Sequence, residues 1–206
     1  MVIREQNDHR LLITQPAHAW ISGQIAENWG CYGFIRSEPW KGLCFAAAHH
    51  DDGWINHDIR PKLNPDHFKK KQHALQEIWI SDLEKDGFYW NVIHDQNLEQ
   101  HRLLLSAFDY LSLFLILGKS QETKLNNISS FENHSNTVFI SEKREDSETC
   151  SHSITYTVSP WPFVNDHVQL RCDAIYLKKP CADQEELNRV MKQNERLLFT
   201  VKLTPG

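Results

Sequence analysis

The stretch AAAHHDDGW, residues 46–54, is the part of this sequence around which the rest is interpreted. A helical run of small residues ends there abruptly in two histidines and two aspartates. Ionisable side chains are costly to bury unless they are hydrogen-bonded, paired or bound to a metal ion. The adjacent His50 and Asp51 offer two metal ligands of complementary type. This stretch is therefore the candidate functional site.

Composition and charge limit the class of protein. The chain has 206 residues, of which 40% are hydrophobic, so it can bury a substantial core as one domain or as one domain with an appendage. The net charge of −5 and the absence of a basic run longer than residues 69–71 argue against nucleic acid or an anionic membrane as partner. Residues 103–117, the most apolar stretch, are too few to span a membrane.

Cysteine usage indicates the compartment. The five cysteines are an odd number, are widely spaced and form no Cys-x-x-Cys pair, so neither a disulfide framework nor a zinc ribbon is predicted. The first eight residues are too polar for a secretory signal. We therefore expect a cytoplasmic protein.

The order of elements predicts two units. Short strands at 2–4 and 11–14 form a hairpin, and helices are predicted at 17–29, 42–50, 68–83 and 91–117, with a long ordered loop at 55–65. Composition changes at residue 119, after which the pattern predicts strands at 137–141, 153–158, 168–176 and 197–203 and a helix at 183–191. The predicted domains are a helical one with its hairpin, residues 1–118, and a β-rich extension packed on it, residues 119–206, which the hairpin could join.

Two further ionisable residues are predicted to face the core. His18 shares a helix face with Ile21 and Ile25, so it points inward. Asp109 stands on an apolar helix face where a leucine is expected. An unpaired buried carboxylate would cost several kcal/mol, so Asp109 needs an arginine, a metal ion or a raised pKa. Together these observations suggest a four-ligand set of His18, His50, Asp51 and Asp109.

Each candidate also has a purely structural interpretation. His18 could be a hydrogen-bonded core histidine. His50 could cap the C-terminus of its helix, with Asp51 in the following turn, because the helix dipole favours a protonated histidine there. Asp109 could accept hydrogen bonds from Arg102 or from the hydroxyl group of Tyr110 or Ser112. The sequence leaves these alternatives open.

The order His18, then His50-Asp51 followed by Gly53, then Asp109 resembles the HD-domain superfamily of helical metal-dependent phosphohydrolases. Over nearly its whole length the chain also resembles the bacterial domain of unknown function 3891 family. The residues that carry this second resemblance lie at 15–18, 22–26, 50–54, 108–113 and 160–163. The resemblance to the HD-domain superfamily implies an HD-like helical bundle. With the predicted C-terminal β-rich extension and short N-terminal hairpin, the expected fold is mainly α, of the α+β type. That family brings no established activity.

The leading functional hypothesis is metal-dependent hydrolysis of a phosphoester in a small-molecule substrate. A divalent ion, with Mn, Mg, Fe, Ni and Zn not distinguished, would be held by the four-ligand set, and His94 is a further candidate ligand. Asp52 and His73 are candidates for proton transfer, and Arg60 is a candidate phosphate contact.

Two other functions remain open at this stage. One is an HD-fold oxygenase with two irons, which would need His73 and His94 as ligands. The other is a non-catalytic binding protein with a degenerate HD site. The sequence also leaves open whether the protein is a homodimer.

Overall fold

The structure, a computed structural model, shows an α+β protein whose described residues form a six-stranded sheet. It describes residues 1–5, 9–31, 33–34, 36, 38–62, 98–118, 139–143, 152–178, 181, 183–193 and 196–206. The predicted helix at 68–83 and the candidate residues His73 and His94 lie outside these ranges.

The sheet combines strands from both ends of the chain. Its strands are β1 (Val2–Glu5), β2 (Arg10–Ile13), β3 (Phe139–Lys143), β4 (Ser153–Ser159), β5 (Val168–Leu177) and β6 (Arg196–Pro205). Their order is β1-β2-β5-β6-β4-β3. Neighbours are antiparallel except β4 and β6, which are parallel, so the sheet is mixed. The N-terminal hairpin joins it through β2, where Leu11 lies opposite Tyr176 on β5.

Most helices begin and end near the predicted residues. They are α1 (Gln15–Asn28), α2 (Trp40–His49), α3 (Ile55–Ile59), α4 (Leu98–Leu117) and α5 (Gln184–Gln193), with a 3₁₀ turn at Asp52–Trp54. Thr14 caps α1 by accepting a hydrogen bond from the backbone N–H of Ala17, and Pro16 lies in the first turn. Asp183 caps α5 by accepting a hydrogen bond from the N–H of Glu186. The loop predicted at 55–65 is wrong over its first five residues, which form α3.

Alternate residues of β2 face opposite sides of the sheet, and both sides are buried there. Leu11 and Ile13 belong to the main core, which is shared with α1 and α4. Leu12 faces the other side and packs in a second cluster with residues of β5 and α5. The helices are therefore divided between the two faces of the sheet.

This arrangement overturns the expectation of an HD-like helical bundle. The pairing of β2 with β5 makes one sheet of the N-terminal hairpin and the C-terminal strands, and α1 and α4 pack on that sheet. A bundle would bury the helices mainly against one another. The predicted boundary at residue 119 falls among residues outside the described ranges, so the two-domain division stays a prediction.

Two smaller observations concern the described residues. Cys31, Cys44, Cys172 and Cys181 are free thiols. No helix in the described ranges is both long and apolar enough to cross a membrane.

Candidate metal centre

A close approach of α1 and α2 brings the predicted ligands together. A Cβ atom placed on Gly23 would lie 2.6 Å from the Cβ of Ala48 and 2.9 Å from its Cα. Only glycine permits backbones this close, because any larger side chain would force the helices apart. The end of α2, followed by His50 and Asp51, thereby lies beside His18 of α1.

The side chains of His18, His50 and Asp51 converge. Oδ2 of Asp51 lies 3.1 Å from Nδ1 of His18 and 3.5 Å from Nε2 of His50. One potential ligand atom from each of the three residues lies within 4.8 Å of the other two. Two ligand atoms about 2.1 Å from one ion are separated by about 3.0 Å at a right angle and about 3.4 Å at a tetrahedral angle. These three side chains could therefore hold a metal ion.

Asp109 of α4 faces both histidines. Its Oδ1 lies 3.0 Å from Nε2 of His50 and 3.2 Å from Nε2 of His18. The carboxylate is 15% exposed, and the His18 side chain is fully buried. The aspartate that interrupts an apolar helix face thus lies against the two imidazoles. Its role as a fourth ligand stays a prediction.

The orientation of His50 suits a ligand. Its Nδ1 donates a hydrogen bond to the backbone oxygen of Ala47, 2.9 Å away, which leaves Nε2 directed at the carboxylates. Metal-binding histidines almost always donate their second ring N–H to a carbonyl, a carboxylate or water. The same hydrogen bond satisfies the helix-capping interpretation of His50, but a cap does not require Nε2 to face two aspartates.

His18 has an acceptor at each ring nitrogen. Nδ1 faces Asp51, and Nε2 faces both the carboxylate and the backbone oxygen of Asp109, the latter at 3.4 Å. Whichever nitrogen binds an ion, the other can donate to an aspartate, which fixes the ring orientation.

The two neighbouring carboxylates change the protonation of His50. Burial disfavours the charged imidazolium, but the hydrogen bond to Asp109 and the negative charges of Asp51 and Asp109 outweigh it and raise the pKa of His50 to about 9. At pH 7 the metal-free protein therefore carries a proton on His50. A bound cation would have to displace that proton.

The metal-free protein should lose stability as the pH rises through this pKa. The pKa of His50 in the folded state, about 9, lies above its ordinary value of 6.5, so the stabilisation is fully present below pH 6.5 and is lost by about pH 9. The loss should be about 3 kcal/mol in the free energy of unfolding. Urea unfolding with a chelator, compared between wild type and His50→Gln, measures it. A difference between the two proteins that stays constant from pH 6 to pH 9.5 would contradict the prediction.

The other predicted site residues have different surroundings. Asp52 accepts a hydrogen bond at 2.9 Å from Nδ1 of His49, and both side chains are more than a third exposed. Arg60 is exposed and directly follows α3. Their predicted roles, and those of His73 and His94, stay predictions.

The sequence did not predict the buried contacts of three polar residues. Asp58, which falls within the loop predicted at 55–65, is buried and accepts a hydrogen bond from the backbone N–H of Gln15 at the start of α1. Ser22 and Ser112 are fully buried and bonded to each other between α1 and α4. Their spacing, four residues after His18 and three after Asp109, was the available signal for the serines.

The fold and the cluster define an α+β protein with a group of histidine and aspartate side chains that could hold a metal ion. The chain belongs to the family described as protein of unknown function (DUF3891), whose model matches residues 1–67 and 65–179. The resemblance to that family is thereby confirmed. No curated protein matches the sequence, and no solved structure does. The HD-domain-like pattern is not confirmed by any family or homologue.

Proposed function

We propose that this protein is a metal-dependent hydrolase that acts on a phosphoester. The observation that supports the proposal is the convergence of His18, His50 and Asp51, which offers two nitrogen ligands and one oxygen ligand to a divalent cation. Asp109, the predicted fourth ligand, lies within hydrogen-bonding distance of both histidines. Two carboxylates and two neutral imidazoles carry a charge of −2, which a divalent cation neutralises.

The chain's own residues would have distinct roles. Such a cation, when bound, supplies Lewis acidity toward water and toward a phosphoryl oxygen. His50 would hold it with a ring orientation fixed by its hydrogen bond to Ala47, and His18 with one fixed by the aspartate at its other ring nitrogen. Asp52 or His73 would accept a proton from the attacking water, and the exposed Arg60 would contact the phosphate. The phosphoester class rests on the order of the four residues in the chain.

Metal loading and turnover test this proposal. The protein is stripped with a chelator, reloaded separately with Mn²⁺, Mg²⁺, Fe²⁺, Ni²⁺ or Zn²⁺, and assayed with p-nitrophenyl phosphate, bis(p-nitrophenyl) phosphate and nucleoside monophosphates. We expect hydrolysis that needs one of these ions, is lost in His50→Gln and is kept in His167→Gln, which changes an exposed histidine of the β4–β5 connection. A protein that binds no divalent ion would refute the proposal.

Two other outcomes have their own meaning. Iron content near two per chain with visible absorption, and no hydrolysis, would favour an oxygenase with two irons. A result of neither metal binding nor turnover of any phosphoester would leave a non-catalytic binding protein with a degenerate site, in which the side chains of the cluster bond mainly to one another. The 3.0 Å contact between His50 and Asp109 is the observation that favours this second candidate.

A further inference from the structure

Two buried serines connect the helices that carry His18 and Asp109. Ser22 of α1 and Ser112 of α4 are both fully buried, and their hydroxyl oxygens are 2.8 Å apart. Neither residue belongs to the predicted ligand set. A buried hydroxyl left without a partner costs on the order of 1–3 kcal/mol, so the serine that donates this bond depends on the serine that accepts it.

The direction of the hydrogen bonds follows from counting protons. Ser112 Oγ donates to the backbone oxygen of Asp109 at 2.7 Å. Because a hydroxyl has a single proton, Ser112 must accept in its contact with Ser22. Ser22 therefore donates to Ser112 at 2.8 Å rather than to the backbone oxygen of His18, which is 3.5 Å away. The bonds form a chain from Ser22 through Ser112 to the carbonyl of Asp109.

This series of hydrogen bonds ends at an atom that lies next to the candidate metal site. The carbonyl oxygen of Asp109 lies 3.4 Å from Nε2 of His18, and the carboxylate of the same residue faces both imidazoles. Ser22 lies about one helical turn after His18. A shift of α4 along α1 would lengthen the hydrogen bond between the two serines. The same shift would change the distance between His18 and Asp109.

We infer that Ser22 and Ser112 are positioning residues for the metal site. Through this directional bond they fix where α4 crosses α1, and so hold the Asp109 carboxylate at its distance from His18 and His50. Two alanines would fill much of the same space without a polar group to satisfy, but they would leave the helices free to slide. The inference rests on the proposed function, because the serine pair positions metal ligands only if the cluster holds a metal ion.

The test compares Ser112→Ala with wild type in binding of Co²⁺, a spectroscopic substitute for the native ion. We expect the Kd for Co²⁺ to rise about 10- to 100-fold, the range typical of residues that orient metal ligands. The visible absorption bands of bound Co²⁺, which report the coordination geometry, should also change. Ser106→Ala, an exposed serine on the same helix, should leave both unchanged. A Kd within twofold of wild type with an unchanged spectrum would overturn the inference.

A second measurement separates this inference from the proposed function. The ¹⁵N shifts of the imidazoles of His18 and His50 are recorded by NMR in the metal-free protein. If wild type binds no Co²⁺, the proposed function fails, and the serine pair is judged by these shifts alone. These ¹⁵N shifts should change in Ser112→Ala and stay at their wild-type values in Ser106→Ala. Wild-type shifts in both variants would overturn the inference that the serines position the histidines and Asp109. If Ser112→Ala does not fold, the double variant S22A/S112A, which leaves no orphan hydroxyl, replaces it in both measurements.

Discussion

Replacing Asp51 with asparagine should abolish tight metal binding, with a rise of more than about 100-fold in the Kd for Mn²⁺ or Co²⁺, beyond the range typical of residues that only orient ligands. Oδ2 of Asp51 is the atom that lies between His18 and His50, 3.1 Å from one ring nitrogen and 3.5 Å from the other. Asparagine has the same shape, but it presents either a neutral oxygen or an amide N–H at that point. An N–H directed at the ion would repel it.

Equilibrium dialysis followed by metal analysis measures the effect, and the matched control is Asp173→Asn. Asp173 is an exposed aspartate of β5 that pairs loosely with Arg196, so its replacement should leave the Kd unchanged. Circular dichroism must show that Asp51→Asn is folded, because Asp51 is only 4% exposed. A folded Asp51→Asn protein with the affinity of wild type would eliminate Asp51 as a ligand.

The sequence predicted those parts of the structure that depend on nearby residues. The bounds of α1, α2 and α5, and of all six strands, follow from caps, prolines and the period of apolar residues, which act within a few positions. His18 was predicted to face inward from the helical period alone, and its side chain is fully buried. Asp109 was noticed because a carboxylate on an apolar face needs a partner, and the two imidazoles lie against it.

What the sequence did not predict depends on contacts between distant residues. The sequence allowed the hairpin to join the β-rich part, but it did not predict which strand it pairs with, because nothing local distinguishes the pairing of Leu11 with Tyr176, 165 positions away, from other pairings. The resemblance to a helical superfamily therefore gave the wrong architecture, although the four residues that carry it do come together. The bond between Ser22 and Ser112 was not predicted for the same reason, since the spacing that places each serine near His18 or Asp109 on its helix does not show which residue 90 positions away it bonds.

The replacement of Asp109 by asparagine should change two properties at once. The pKa of His50 should fall by about 1–3 units, since the hydrogen bond to Asp109 is the largest of the effects that raise it. Metal binding should also weaken, because one anionic oxygen next to both histidines is lost. These effects oppose each other near neutral pH, where a lower pKa of His50 reduces competition by its proton.

Measuring the Kd across pH separates the two effects of Asp109→Asn. Below pH 9 the wild-type Kd should fall about tenfold for each unit by which the pH rises, because one proton leaves His50 when the ion binds. In Asp109→Asn the Kd should stop falling at a lower pH than in wild type. The Kd that it reaches above that pH should be higher than that of wild type. Asp109→Glu keeps the charge and should keep the raised pKa, as judged by NMR titration of His50. If the pKa of His50 is the same in wild type and in Asp109→Asn, the Asp109 carboxylate does not control the protonation of His50. The electrostatic argument for placing Asp109 beside a bound ion would then be wrong.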